Sequence, residues 1–219
     1  MSALGVHRII ERQSAVGGDR VAIECDDASV TYRELNQRAN AVARDLISRG
    51  LRRGAHAVVR MDRSPELAVA LLAILKAGAA YTWVDAARPD ARPDARPDAR
   101  PDARPDGRWP YGISLLDNGV AKPLLVDTSL LMAASRPAPN LPIITRAEDT
   151  ACVLPQMDGR AAVLVPHATI AMLHGHPTSE PALERAAWSG DATAVDLWLP
   201  LMAGAIVSVD AAPAHVVAA

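Results

Sequence analysis

Along the first 85 positions the apolar residues switch between two spacings, and the switches predict an alternation of helices and strands. Val6, Ile9 and Ile10 fall at helical spacing and predict a helix over 6–13, and Val21, Ala22 and Ile23 follow as a short strand. Thr31 and Glu34 form the S/T-x-x-E capping pattern ahead of Leu35, Ala39, Val42 and Leu46, which share one helical face. Gly50 supplies the residue able to end that helix in a left-handed conformation. Ala57 to Met61 reads as the next strand. Ser64, Pro65 and Glu66 then combine a side-chain cap, a proline at the first helical position and an acid near the positive end of the dipole. The helix they open is apolar nearly all round up to Gly78, which predicts burial, and Ala80 to Val84 reads as the strand behind it. This order predicts parallel strands joined by helical crossovers, an α/β fold with a mostly parallel sheet flanked by helices.

Periodicity of both kinds stops at Ala87. From there to Asp106 the tetrapeptide ARPD occurs five times without a break. A proline in every unit excludes helix and ladder alike, and each Arg is balanced by an Asp, so an exposed, extended loop is expected over 87–108 between segments 1–86 and 109–219. Such an array reads either as a spacer or docking strip, or as an expanded DNA repeat tolerated in a surface loop.

Beyond the array the pattern is fainter. Lys122 to Asp127, Pro142 to Thr145, Ala151 to Leu154 and Ala161 to Val165 read as short strands, and His167 to His174 and Ala192 to Ala203 as helices. Ile206 to Val209 is a last strand, expected to leave an exposed edge.

Composition narrows the function. The chain has 219 residues, a formal net charge of -2 and no basic excess to neutralise a phosphate backbone, so a nucleic-acid partner is not expected. The longest apolar run, Leu67 to Leu75, has nine residues against the roughly 20 a membrane helix needs, so no membrane partner is expected either. The start, MSALGVHRIIERQ, carries charge where a secretory leader is apolar, which predicts a cytoplasmic protein with Cys25 and Cys152 as free thiols. Phe is absent and aromatics make up 3% of the chain, so a core of modest stability is expected.

The stretch SVTYRELNQRANAVARDLISRGLRRGAHAVVRMDRSPELAVALLAILKAGAAYTWVD, Ser29 to Asp85, resembles the opening of the adenylation domains of nonribosomal peptide synthetases, members of the AMP-binding, adenylate-forming enzymes. Those domains carry T-Y-x-E-L, then R-S-x-E, then L-K-A-G-x-A-Y, matched here by Thr31 to Leu35, Arg63 to Glu66 and Leu75 to Tyr81. LLDNGVAKPLLVD from Leu115 to Asp127 and DATAVDLWLPLMAGAIVSV from Asp191 to Val209 resemble later segments of the family in order. The resemblance implies part of the large subdomain of the adenylate-forming fold. The family's Y-G-P-T-E and T-G-D segments and its small domain with a catalytic lysine have no counterpart here, so a truncated version is expected.

The resemblance also locates a site. The family cradles its triphosphate in T-S-G-[ST]-T-G-x-P-K-G, where glycine amides and small hydroxyls approach closely and a lysine offsets charge. VLPQMDGRAAVLVPH stands in its place: Gly159 alone remains as a vestigial phosphate-loop position, Met157 adds bulk, Asp158 adds negative charge, and Arg160 is the one cation, a position off. Asp191 falls where the family grips an amino-acid ammonium, with Gly190, Thr193 and Asp196 in place of Phe, Ser and Glu; it reads equally as a helix N-cap. The resembled family uses ATP and Mg; neither is expected for this chain alone, nor any catalytic residue.

Other chemistry is thin. His167, His174 and His176 cluster, but no cysteine pair or carboxylate stands at zinc-ligand spacing. Asp26 and Asp27 beside Cys25 raise a thiol pKa, which argues against a nucleophile. Three functions follow: a non-catalytic adenylation-like protein of secondary-metabolite biosynthesis, acting by contact with a peptide synthetase; half of a split amino-acid-activating enzyme completed by another fragment; or a decayed remnant without function.

Overall fold

The computed structural model describes residues 5–26, 28–86, 111–117, 120–125, 127, 131, 138–142, 145–154, 162–175, 185–187 and 194–209. Chain order runs α1 (Val6–Gly17), β1 (Val21–Cys25), β2 (Ala28–Thr31), α2 (Tyr32–Ser48), β3 (His56–Met61), α3 (Pro65–Lys76), β4 (Ala80–Asp85), β5 (Gly112–Asp117), β6 (Val120–Leu125), β7 (Thr150–Leu154), β8 (Val163–Pro166), α4 (His167–Gly175) and β9 (Arg185–Ala187). A π-helical turn (Ala194–Trp198), α5 (Leu199–Ala203) and β10 (Ile206–Val209) complete it.

The helix starts form as their sequences dictate. Thr31 Oγ1 accepts from the Glu34 N–H while the Glu34 carboxylate accepts from the Thr31 N–H, so both partners of the capping box are engaged. Ser64 Oγ accepts from the Leu67 N–H, with Pro65 next in line. Gly50 and Gly78 follow the two helices at φ 113° and 78°, where a side chain would be strained.

The strands fall into two sheets, one ordered β2-β1-β10-β9 and the other β6-β5-β3-β4-β7-β8. The expected crossovers give parallel pairs β3/β4 and β4/β7, and β1/β10 and β10/β9 are parallel as well. Antiparallel pairs β1/β2, β3/β5, β5/β6 and β7/β8 join them, so both sheets are mixed. β10 lies between β1 and β9, which corrects the expectation that the last strand leaves an open edge. No strand covers Pro142 or Thr145, and the helix expected over 192–203 is a π-helical turn followed by α5, with 192 and 193 outside the described residues.

Helix α3 sits at the centre and touches strands of both sheets as well as α1 and α2. Its apolar circumference is matched by its burial: every residue from Leu67 to Leu75 is fully enclosed. Lys76 at its end is enclosed too, and its Nζ lies 2.5 Å from the Glu11 carboxylate on α1, which Arg8 also holds at 2.7 Å. Burial lowers the Lys76 pKa, and the Glu11 carboxylate works against that shift.

The array at 87–106 lies outside the described residues, but the strands on either side of it are fixed. Asp85 pairs with Met61 on one side of β3 and Gly112 with Arg60 on the other, so the connection starts and ends roughly 10 Å apart, two strand spacings.

Removing one partner of the Glu11–Lys76 pair strands a buried charge, whereas replacing both with apolar side chains does not. Glu11→Gln is expected to destabilise the protein by about 3–5 kcal/mol and the double variant Glu11→Leu with Lys76→Met by much less. Urea denaturation of the three proteins measures both.

Candidate functional site

Gly159 and Asp191, the two site positions marked by the sequence, both lie outside the described residues, as do Met157, Asp158 and Arg160. The elements that lead into and out of those positions are described. β7 and β8 form a hairpin in which Leu154 pairs with Val163, so its connection carries Gly159. The π-helical turn begins three residues after Asp191.

Both elements converge on one hydroxyl. Tyr81, on β4 and almost fully buried, accepts a hydrogen bond through its Oη from the Trp198 indole N–H at 2.7 Å. The two rings meet edge to face with centroids 6.4 Å apart. Tyr81 is also paired in register with Cys152 on β7, and its hydroxyl hydrogen-bonds the Cys152 thiol. Burial pushes the Cys152 pKa up to about 11, with the tyrosine acting in the opposite direction. Next to it, the Thr82 hydroxyl donates to the Val153 carbonyl at 3.1 Å and lies 2.8 Å from His56 Nε2. One strand, β4, thereby clamps both the β7 arm of the hairpin and the turn behind Asp191. Tyr81 is visible in the sequence as the last letter of L-K-A-G-x-A-Y, but nothing in the spacing signals its role as the junction.

A second motif residue is placed at the end of the same strand. The Arg63 guanidinium lies over the Trp83 ring, 5.2 Å from its centroid, and 3.7 Å from the Asp85 carboxylate, while the Trp83 indole donates to the Met61 carbonyl. The R-S-x-E arginine therefore ties the start of α3 to β4.

His167 is buried at the start of α4, His176 is outside the described residues, and nothing is described for the His174 side chain. Among the described residues no group of three metal-binding side chains occurs. Cys25 and Cys152 are free thiols, and Cys25 has its pKa raised first by burial and then by Asp26 and Glu66. No helix among the described residues is long and apolar enough to cross a membrane.

Tyr81→Phe removes the acceptor of the buried Trp198 N–H, a loss that costs about 1–3 kcal/mol. Its indole N–H resonance is expected to shift markedly and exchange faster in two-dimensional NMR, with a matching fall in stability.

Comparison with known proteins agrees with this geometry. Residues 10–95 match the family model described as AMP-binding enzyme. Tyrocidine synthase 3 of Brevibacillus parabrevis is 43% identical over 88 residues, covering 40% of this chain and 1% of the synthase. A linear gramicidin synthase protein of the same organism is 28% identical over 220 residues, covering 95% of this chain and 4% of that protein. Among solved structures, the N-terminal subdomain of Klebsiella oxytoca NpsA superposes with a TM-score of 0.74 at 24% identity, covering 96% of this chain and 56% of that one. A fused NpsA-ThdA adenylation and carrier di-domain gives 0.73 at the same identity, with 40% of its length covered. The chain thus spans about half of the solved subdomain and a few per cent of the curated synthetases. Over residues 10–95 the chain is similar to AMP-binding enzymes and to the adenylation domains of nonribosomal peptide synthetases, and its fold is that of part of the NpsA N-terminal subdomain.

Proposed function

We propose that this chain keeps the adenylation-domain frame without its ATP chemistry and acts by protein contact in nonribosomal peptide biosynthesis. The observation that carries the reading is the contrast between the frame and the hairpin connection. The frame motifs all have partners: the Thr31–Glu34 capping box, the Ser64 cap, Arg63 on Trp83 and Tyr81 between Trp198 and Cys152. The connection at 155–162 offers a triphosphate one glycine, no Ser or Thr hydroxyl, a carboxylate from Asp158 and, in place of the family's lysine, Arg160 a position off, beside that carboxylate in sequence. That donor set does not fit ATP and Mg, since close approach needs bare amides and small hydroxyls, and the charge needs a cation. Loss of a single preorganised donor costs an enzyme roughly 100- to 1,000-fold in rate, and here several are replaced together. Asp191 is retained on this reading as a cap or as the remnant of an ammonium site.

Contact with a peptide synthetase is supported by apolar surface on the same hairpin and the helix behind it. Leu164 on β8 and Met172 on α4 are 62% and 66% exposed, with Val163 and Leu173 beside them. The array at 87–108 is proposed as a tolerated loop between segments 1–86 and 109–219, because its two ends leave the sheet on either side of one strand. Free thiols at Cys25 and Cys152 fit work in a reducing cytoplasm.

Amino-acid-dependent exchange of pyrophosphate into ATP tests the proposal. The pure chain is expected to give no exchange above background with any of the twenty amino acids. Exchange by the chain alone would overturn it, and exchange only on adding a fragment carrying the family's later motifs would establish a split enzyme instead.

A further inference from the structure

Helix α1 begins at Gly5, which has no side chain to cap it, so the first N–H groups of the helix need acceptors from elsewhere. The Val6 N–H finds one 161 residues away: it donates to His167 Nδ1 at 3.3 Å. His167 is the first residue of α4, directly after β8, and is fully buried. Its ring meets that of His7, also buried on α1, edge to face with centroids 5.7 Å apart. A Cβ at position 5 would sit 3.0 Å from His7 Cε1, a tight contact that the ring would have to ease by a few tenths of an ångström.

The Val6 bond exists only with His167 neutral, and burial together with the His167, Lys76 and Arg8 charges disfavours a cation on His7 as well. Accepting from Val6 places the single ring proton of His167 on Nε2, which is buried and, like His7 Nδ1, has no hydrogen-bond partner among the described residues. Protonating His167 means protonating Nδ1, which removes the acceptor and adds a buried cation at the positive end of α4. Among the described residues the Asp149 carboxylate favours charge on His167, but burial outweighs it. Asp149, which faces His167, is held by Arg53 at 2.8 Å and by the Arg146 N–H at 2.7 Å. Glu11 on α1 is held by Lys76 and Arg8, and both of these cations act against charge on His7. From α2, Arg44 acts on Lys76, not on the histidines. Asp196, in the turn packed on α4, has a partner of its own, and α5 carries no ionisable side chain.

We propose that His7 and His167 form an acid-released latch, closed when both rings are neutral, that holds the start of α1 on the β8–α4 junction. Burial lowers both pKa values, that of His167 to about 4, against about 6.5 for an unperturbed histidine. The sign follows from linkage: the unfolded or opened chain takes up protons near pH 6.5 and the closed latch does not. The latch's contribution to stability is therefore complete above about 6.5 and is lost as pH falls through the window towards 4. Opening by this route frees the start of α1 from the base of the β7–β8 hairpin while α3, enclosed by both sheets and held to α1 through Glu11 and Lys76, stays in place.

Amide hydrogen exchange on the full chain from pH 7 to 4, corrected for intrinsic rates, tests the latch, with histidine ring signals followed by NMR. Protection of the Val6 amide is expected to fall at least tenfold between pH 6.5 and 4.5 while the Leu71 amide of α3 keeps its protection. His167→Asn puts an acceptor oxygen near the Nδ1 position without a titrating ring, and is expected to reduce the pH dependence of Val6 protection to what His7 alone contributes. If that variant does not fold, the wild-type titration still decides. Ring signals of both histidines titrating near 6.5, or Val6 and Leu71 losing protection together, would overturn the proposal.

Discussion

The whole fold turns on the burial of α3. A helix apolar on every side is stable in water only when covered on every side, and this chain covers it with two sheets and two helices. That demand explains why two small mixed sheets exist where a single one would leave a helix face wet. It also explains the cost at the helix end, where Lys76 enters the core and needs a carboxylate from α1 to stay charged there. With Phe absent, the enclosure is built from Leu, Val, Ile and Ala, and the few large aromatics, Tyr32, Tyr81 and Trp198, stand where polar atoms must also be satisfied. Tyr32 shows the pattern outside the candidate site: its hydroxyl donates towards the Leu201 and Ala205 carbonyls, anchoring α5 to α2, and burial raises its pKa.

Local signals are legible where the chemistry is local. The Thr31–Glu34 box and the Ser64-Pro65 start are decided within four residues, and both helices begin where those residues place them. Strands decided by distant partners are not legible in the same way. β2 is four residues long and exists by pairing back on β1, and β5 has no turn signal of its own because its register is set by β3. The position of β10 inside its sheet depends on β9, a three-residue strand that no periodicity marks.

The candidate site divides the same way. Its motifs are legible as strings, and the strings locate the hairpin connection with Gly159 and the segment with Asp191. Their structural meaning is not, because it rests on contacts across more than 100 residues. Tyr81 and Trp198 are 117 positions apart and His167 caps a helix 161 positions before it. Gly159 and Asp191 lie outside the described residues, so the frame, not the vestigial positions, is what the structure adds. That frame is joined at β4, where one strand holds the hairpin arm on one side and the turn behind Asp191 on the other.

The central claim, a kept frame without nucleotide chemistry, is tested most directly by a near-ultraviolet circular dichroism melt with and without saturating ATP and Mg. Trp83 and Trp198 are fixed by hydrogen bonds and report packing. The account predicts one cooperative loss of signal at a midpoint that nucleotide does not move. A ligand that binds the folded state at 100 times its Kd adds about 2.7 kcal/mol and raises the midpoint by several degrees. A nucleotide-dependent rise of that size, or a sloping melt with no cooperative step, would contradict the account.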